Sequence, residues 1–150
     1  MPRRSWRRRT LIIGTTIVIL SVGIVFASIP YLPHAHKSIP SSQSYTVNAG
    51  SSAYPGYHAL ALGSISNGEN WAVGVTANET ATFCVIQDSP YENWAQSTNP
   101  TWAAFPWNDC ILQEQTAQTT LTFTATSQGT WDVATLNTNP TAITVEFFPA

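Results

Sequence analysis

The sequence predicts an all-β protein: an antiparallel β-sandwich of immunoglobulin-like or jelly-roll type with seven or eight strands, preceded by one N-terminal transmembrane helix. Hydrophobic residues alternate with a period of two through most of the chain after residue 43, as in strands with one buried face. Turn-forming residues interrupt this alternation about every ten residues, as in sandwich domains. The helix is predicted from residues 11–32, a hydrophobic run without Asp, Glu, Lys, Arg or His.

This hydrophobic run is long enough to cross a bilayer. Its 22 residues extend about 33 Å as an α-helix, against about 30 Å for a hydrocarbon core. The segment before it, MPRRSWRRRT, contains five arginines, and positively charged flanks stay in the cytoplasm. We therefore predict a cytoplasmic basic tail over residues 1–10 and a signal-anchor helix over residues 11–32. The rest of the chain is then extracytoplasmic and held at the cell membrane.

An alternative is that the run is a cleaved export signal. Val25-Phe26-Ala27 places aliphatic and small residues where a signal peptidase reads them, so cleavage after Ala27 would give a secreted protein. The run is longer than the roughly 7–15 hydrophobic residues of a typical signal and continues beyond this site. Its length favours a retained anchor.

The charge distribution argues against nucleic acid as a partner. Beyond residue 32 the chain has one base, Lys37, and all eight acidic residues, which gives a net charge of −7. Such a chain has no basic patch to neutralise phosphates or anionic lipid headgroups. Its other polar residues are mainly Thr, Ser, Asn and Gln, which stay uncharged in acid. We therefore predict that the exported part remains folded down to about pH 3.

The exported part divides into a stalk and one domain. Residues 33–43 mix Pro, Ser and His without periodicity, which is typical of a linker. Residues 44–150 are then a single domain, long enough to bury a two-layer core. Its predicted strands cover eight segments: residues 44–49, 57–65, 70–77, 81–87, 110–115, 119–127, 130–137 and 141–148.

The alternation breaks once, between the fourth and fifth predicted strands. Ser89-Pro90-Tyr91-Glu92 matches a capping box with proline at the first helical position, which predicts a short helix over residues 90–97. Residues 98–108 are rich in aromatic residues and proline, and are predicted to form a loop.

The two cysteines of the chain are predicted to form a disulfide. Cys84 and Cys110 both lie in the exported part, where the environment is oxidising. Closing this loop would stabilise the fold by about 3.5 kcal/mol in the chain-entropy model. The alternative is two free, separately buried thiols.

The residues for catalysis and metal binding are sparse, so we expect a non-enzymatic protein without metal or cofactor. His58 is the only histidine of the domain, and no Ser–His–acid arrangement has catalytic spacing. A blue-copper site fails on ligand count, because the only methionine is Met1. Asp109, Glu114 and Asp132 could supply paired carboxylates, so an exported hydrolase is a distant third hypothesis.

Aromatic residues crowd the segment between the cysteines and are the candidate binding residues. Such side chains on loops stack on sugar rings or anchor protein partners. The alternative is that they cover one end of the sandwich. The candidates are Tyr91, Trp94, Trp102, Phe105 and Trp107. Asn78-Glu79-Thr80 is in addition a candidate N-glycosylation site in a predicted turn.

Two hypotheses on function follow. The first is a membrane-anchored, non-catalytic domain that binds a carbohydrate or protein partner, or an envelope component, through residues 91–107. The second is a structural envelope or filament subunit, in which the edge at residues 44–49 or 141–148 pairs with a neighbouring subunit. An oligomer is compatible with both.

Overall fold

A computed structural model describes residues 36–150, in which six strands form one curled antiparallel sheet. The prediction of an antiparallel all-β protein is confirmed. Between the third and fourth strands lie one helix, α1 (Asp88–Ala95), and a 3₁₀ turn (Trp107–Asp109). The strands are β1 (Gln43–Val47), β2 (Gly56–Ile65), β3 (Asn70–Gln87), β4 (Leu112–Thr124), β5 (Gly129–Asn137) and β6 (Ile143–Pro149).

The predicted basic tail, the anchor at residues 11–32 and the alternative cleavage site after Ala27 all lie outside the described residues. From His36 to Ala150, no helix has both the length and the hydrophobicity to cross a membrane.

The eight predicted strand segments form six strands because two pairs of segments are continuous. Segments 70–77 and 81–87 together make β3, and the two segments after Cys110 make β4. β3 and β4 pair along both halves, with a register shift between Thr76 and Ala81. The three residues between the β3 segments are polar and exposed, so they resemble a turn in sequence. In the structure they form a bulge in a strand that keeps its partner.

The two halves of β3 have different neighbours on the side away from β4. Residues 73–77 pair with β6, which pairs with β1, whereas residues 82–87 pair with β5, which pairs with β2. The sheet therefore curls at residues 78–80, and the inner faces of its two halves share one core.

The alternating inward residues of all six strands make up this core. Burying each such valine, leucine or phenylalanine contributes roughly 1.5–3 kcal/mol before entropy is counted. The fully buried members include Val47, Leu60, Ile65, Val73, Val75, Phe83, Val85, Leu121, Trp131, Val133, Val145 and Phe147.

One end of the curled sheet, which we call the distal end, comprises the bulge of β3 and the turns at residues 48–55 and 138–142. Backbones approach closely here: a Cβ on Gly56 would lie 1.9 Å from the carbonyl oxygen of Asn48. Only glycine can occupy that position without moving the turn. The turn before β2 is therefore packed directly against the start of that strand.

The opposite, proximal end is where the described chain begins and where it ends. The Lys37 N–H donates to the Asn70 carbonyl oxygen (2.9 Å), and the Ala150 N–H donates to Ser38 Oγ (3.0 Å). Ile39 is buried in the core. Part of the segment predicted as a stalk, at least residues 37–39, thus packs against the sheet.

An ion pair accompanies this contact. Lys37 Nζ lies 2.7 Å from Glu69 Oε1, and Trp71 Nε1 donates to the same carboxylate at 2.8 Å. These two hydrogen bonds, that of Lys37 first, lower the pKa of Glu69 below its ordinary value.

Candidate functional site

A second hydrophobic cluster lies on the outer face of the sheet half formed by β2, β5 and the end of β3. α1 and the loop that follows it cover this face, so the aromatic segment folds onto the sheet. The buried members of the cluster are Cys84, Ile86, Tyr91, Trp94, Phe105, Ala134 and Leu136.

The helix of this segment begins two residues earlier than predicted. α1 spans Asp88–Ala95 instead of residues 90–97, its N-cap is Gln87, and no side chain caps it. The predicted capping box is therefore wrong. Pro90 is tolerated because it lies in the first turn, where backbone N–H groups have no partner within the helix.

The predicted disulfide is confirmed and ties this segment to β3. Cys84 and Cys110 are bonded, with their Cα atoms 5.5 Å apart and a sequence separation of 26. The Ile111 N–H also donates to the Val85 carbonyl oxygen at 2.9 Å. Both ends of the covering segment are thus attached to the strand that lies beneath it.

The structure divides the five candidate aromatic residues into two groups. Tyr91, Trp94 and Phe105 are at most 5% exposed, so they pack inward. The rings of Trp94 and Phe105 meet edge-on at 4.9 Å between centroids, and Trp94 Nε1 donates to the Thr101 carbonyl oxygen. These three side chains therefore cover the sheet, as in the alternative to a binding loop, and are not available to a ligand.

Trp102 and Trp107 form the other group and are half-buried. Their ring centroids are 4.6 Å apart, and Trp107 Nε1 donates to the Trp102 carbonyl oxygen at 3.0 Å. The Trp102 N–H donates to the Ala53 carbonyl oxygen at 2.9 Å, which holds the loop against a turn of the distal end. Tyr54, the next residue of that turn, is 55% exposed.

We call Tyr54, Trp102 and Trp107 the aromatic patch. Sequence reasoning missed Tyr54, because it stands in a Ser, Pro and Gly turn far from the other aromatic residues in the chain. Of the five tryptophans in residues 36–150, four donate their indole N–H to an oxygen of the described chain and Trp102 does not. The segments that carry Tyr54 and Trp102, residues 48–57 and 96–106, contain no Asp, Glu, Lys, Arg or His, and the exposed Asp109 lies two residues after Trp107.

An acidic side chain is buried under the start of α1. Asp132, on β5, is 3% exposed and hydrogen-bonds with the Asp88 carboxyl. Burial first, and then the negative charges of Asp88 and Glu92, raise the pKa of Asp132 to about 7. Burial likewise raises the pKa of the neighbouring Tyr91 hydroxyl. Asp132 is therefore largely neutral in mild acid.

The other two acids of the predicted carboxylate group, Asp109 and Glu114, lie elsewhere. Asp109 is exposed in the 3₁₀ turn, and Glu114 on β4 accepts a hydrogen bond from Thr119 Oγ1 at 2.7 Å.

We expect Asp132→Asn to remove most of the pH dependence that Asp132 imposes on folding. The pKa of Asp132 is higher in the folded than in the unfolded chain. The stability that Asp132 contributes to the folded state is therefore fully present below about pH 4, and it is lost as the pH rises through about 7. We expect the free energy of unfolding to fall by about 2 kcal/mol over this pH range. This is less than the full shift of the Asp132 pKa would give, because water screens the half-exposed Asp88 and Glu92.

The measurement is urea unfolding of the full chain in detergent at pH values of about 4 and 8. Wild type should lose stability over this interval relative to Asp132→Asn, whose amide mimics the neutral carboxyl. Asp109→Asn is the matched control, because it removes one exposed carboxyl. If the free energies of unfolding of wild type and Asp132→Asn changed in parallel with pH, the raised pKa of Asp132 would be contradicted.

His58 lies on β2 beside Tyr45, with ring centroids 4.1 Å apart. Its Nε2 and the Oγ1 of Thr135, which stands opposite it in the β2–β5 register, are buried without a hydrogen-bond partner in residues 36–150. Burial lowers the pKa of His58. Within the same residues, no three His, Cys, Asp or Glu side chains are grouped to hold a metal ion.

The candidate glycosylation residue, Asn78, is exposed at the bulge of β3. Its Oδ1 accepts a hydrogen bond from the Thr144 N–H at 2.8 Å. It borders a shallow cleft of about 290 Å³, lined also by Ser44 and Glu146. Its glycosylation stays a prediction.

The two strand edges named for subunit pairing differ in the structure. β6 pairs with β1 over residues 143–147 and with β3 over residues 145–149, so its middle has a partner on both sides. β1 is paired with β6 alone among the described strands.

Comparison with known proteins returns no matching family model and no matching curated protein. Among solved structures, the chain is similar to a de novo designed double-stranded beta-helix, with a TM-score of 0.39 and 12% identity over 73% of this chain and 97% of that one. It is also similar to PirA, with a TM-score of 0.46 and 10% identity over 79% of this chain and 100% of that one.

Proposed function

We propose that this chain is a non-catalytic, membrane-anchored protein that binds uncharged carbohydrate of the cell envelope through the aromatic patch. Residues 11–32 are the anchor, residues 1–10 are cytoplasmic, and residues 44–150 are an extracytoplasmic β-sandwich. The sandwich assignment is supported by the curl of the sheet: its two halves pack their inner faces together and share β3 and β4.

The observation that carries the proposal is the presence of the exposed Tyr54 and the partly exposed Trp102 side by side in the fold at the distal end. Trp102 is held beside Tyr54 by a backbone hydrogen bond, so the two side chains can present a preorganised surface. Aromatic rings offer a large rigid area for stacking at low entropy cost. The indole N–H of Trp102 remains as a donor for a sugar hydroxyl or ring oxygen.

The segments that carry Tyr54 and Trp102 contain no charged residue, which supports a neutral ligand. An ionised ligand would be desolvated there without a charged partner, which costs free energy. Ser, Thr and Asn side chains in the two segments can instead exchange hydrogen bonds with hydroxyl groups. The patch also lies at the end of the domain opposite Lys37, where the described chain enters the fold.

The test is titration of the full chain in detergent with neutral oligosaccharides, namely cello-, malto- and chito-oligomers, followed by calorimetry and tryptophan fluorescence. We expect Trp102→Ala to weaken binding about 30-fold, which corresponds to about 2 kcal/mol for a central aromatic contact. Trp102→Phe should bind with intermediate affinity, because it keeps the ring and loses the donor.

Asn67→Ala, an exposed change in the turn before β3, is the control and should bind as wild type does. Equal melting temperatures for all variants would show that weaker binding results from the lost ligand contact and not from unfolding. Binding that survives simultaneous replacement of Trp102 and Trp107 would contradict the proposal, as would the absence of binding to every oligomer.

A further inference from the structure

The curled sheet has a seam where its two end strands meet. β1 and β2 stand at opposite ends of the strand order β1-β6-β3-β5-β2, and the curl brings them into contact. In residues 36–150 no backbone hydrogen bond joins these two strands. Tyr45 of β1 and His58 of β2 meet across the seam, with ring centroids 4.1 Å apart and ring planes inclined by 35°. Side chains thus make the contact that backbone hydrogen bonds make elsewhere in the sheet.

Both rings lie on the inner face of the sheet, at the border of the core. Tyr45 stands opposite Val145 in the β1–β6 register, and Val145 is fully buried in the core. His58 stands opposite Thr135, which shares a face with the buried Val133 two residues before it. Thr135 is 1% exposed and His58 is half-buried. The seam is therefore an entrance to the core.

Two polar atoms at this seam are unsatisfied. His58 Nε2 and Thr135 Oγ1 are buried without a hydrogen-bond partner in the part of the chain that the structure describes. Buried polar groups normally have partners, because an unpartnered one loses its hydration without replacement. The seam is therefore weaker than the hydrophobic core around it.

The residues around His58 supply no counter-charge. Among the inward side chains of the six strands only Tyr45, His58 and Glu114 can titrate, and those of β5 and β6 are all neutral. The Tyr45 hydroxyl donates to Gln43 Oε1. Glu114 is on β4, beyond β5 and β3, and accepts a hydrogen bond from Thr119 Oγ1. Three strand spacings, roughly 14 Å, separate β4 from β2, so Glu114 cannot pair with His58.

We propose that His58 is an acid-sensitive clasp, whose protonation separates β1 from β2 and opens the core along this seam. The imidazolium is partly buried without a carboxylate, and the loss of its hydration is costly. A cation–π contact with the Tyr45 ring offsets only part of that cost.

The pH dependence has a definite sign. Burial lowers the pKa of His58 below its ordinary value of 6.5. The stability that neutral His58 contributes is therefore present above about pH 6.5, and it is lost as the pH falls through the lowered pKa.

The opening is confined to β1, because this strand has few attachments. β1 has five residues and pairs with β6 alone among the described strands. β2, in contrast, pairs with β5 from Gly56 to Ile65. A local opening needs less free energy than global unfolding. The rest of the domain can therefore stay folded in acid, as its composition predicts.

Amide hydrogen exchange of the full chain in detergent tests the clasp. Each exchange rate is divided by that of an unstructured peptide at the same pH, so that only the opening of the structure is compared. Between about pH 7.5 and about pH 5, the protection of residues 43–47 in β1 should fall about fivefold in wild type. The protection of residues 119–123 in β4 should not fall.

Two replacements of His58 separate its charge from its packing. His58→Gln keeps a neutral polar side chain, and His58→Phe keeps a ring against Tyr45. Neither variant should show the fall in β1 protection. His36→Gln is the matched control, because it removes an exposed histidine, and it should behave as wild type. A fall that persists in either His58 variant, or no fall in wild type, would overturn the proposal. The exchange is measured without sugar, so the result does not depend on carbohydrate binding.

Discussion

Asn137→Ala is expected to lower the free energy of unfolding by about 4 kcal/mol. Asn137 is 0% exposed, and its Nδ2 donates to the carbonyl oxygens of Asn48 and Thr141, each at 2.9 Å. Its Oδ1 accepts from the N–H and the Nδ2 of Asn139, at 2.9 and 2.8 Å. Removing the amide breaks these four hydrogen bonds, each of which contributes about 1 kcal/mol net to stability, and leaves their partners to be hydrated at the turns.

The same replacement should loosen the distal end as a whole. Asn137 connects the turn before β2 to the turn before β6, and both turns end strands of the main core. Faster amide exchange in residues 48–55 and 138–142 should therefore accompany the loss of stability.

Urea unfolding of the full chain, followed by tryptophan fluorescence, measures the effect. Asn99→Ala is the matched control, because Asn99 is exposed in the covering loop, and it should change stability by less than about 0.5 kcal/mol. A loss below about 1 kcal/mol for Asn137→Ala would show that the turns do not depend on this amide.

Replacing both Cys84 and Cys110 with alanine is expected to cost about 3.5 kcal/mol. The bond closes a loop of 26 residues, and its loss returns that much conformational freedom to the unfolded chain. Cys84 is also fully buried in the second cluster, so the alanine variant loses some packing beneath Trp94 and Phe105.

The control is wild type in reductant. Wild type should lose about as much stability when reduced, whereas the double alanine variant should not respond to reductant. Loss of oligosaccharide binding in parallel with this destabilisation would show that the patch depends on the closed loop. A double variant as stable as wild type would mean that the covering segment needs no covalent attachment.

The local alternation of hydrophobic and polar residues was sufficient to predict where most of the strands lie. The alternation around Val73, Val75, Phe83 and Val85 places strands correctly, because side chains on a strand alternate between faces whatever its partners are. The same pattern could not show that residues 70–87 are one strand. Three exposed polar residues look alike in a turn and in a bulge, and only pairing with β4 distinguishes the two.

The candidate site was predictable in part. A crowd of aromatic residues between two cysteines indicated the covering segment, but nothing local distinguished Trp94, which is buried, from Trp102, which is partly exposed. Tyr54 and Asp132 could not be assigned because their surroundings come from distant parts of the chain, a turn beside the loop for one and α1 for the other.

By itself, the sequence determined the antiparallel β class, the disulfide and the acidic, base-poor character of residues 33–150, since these follow from local periodicity, cysteine count and composition. It also predicts the membrane anchor, whose residues lie outside the described structure. Tertiary structure alone decided which aromatic side chains reach the surface, which carboxyl is buried beside others and which strand edge stays open. Each of these depends on contacts between residues far apart in the chain.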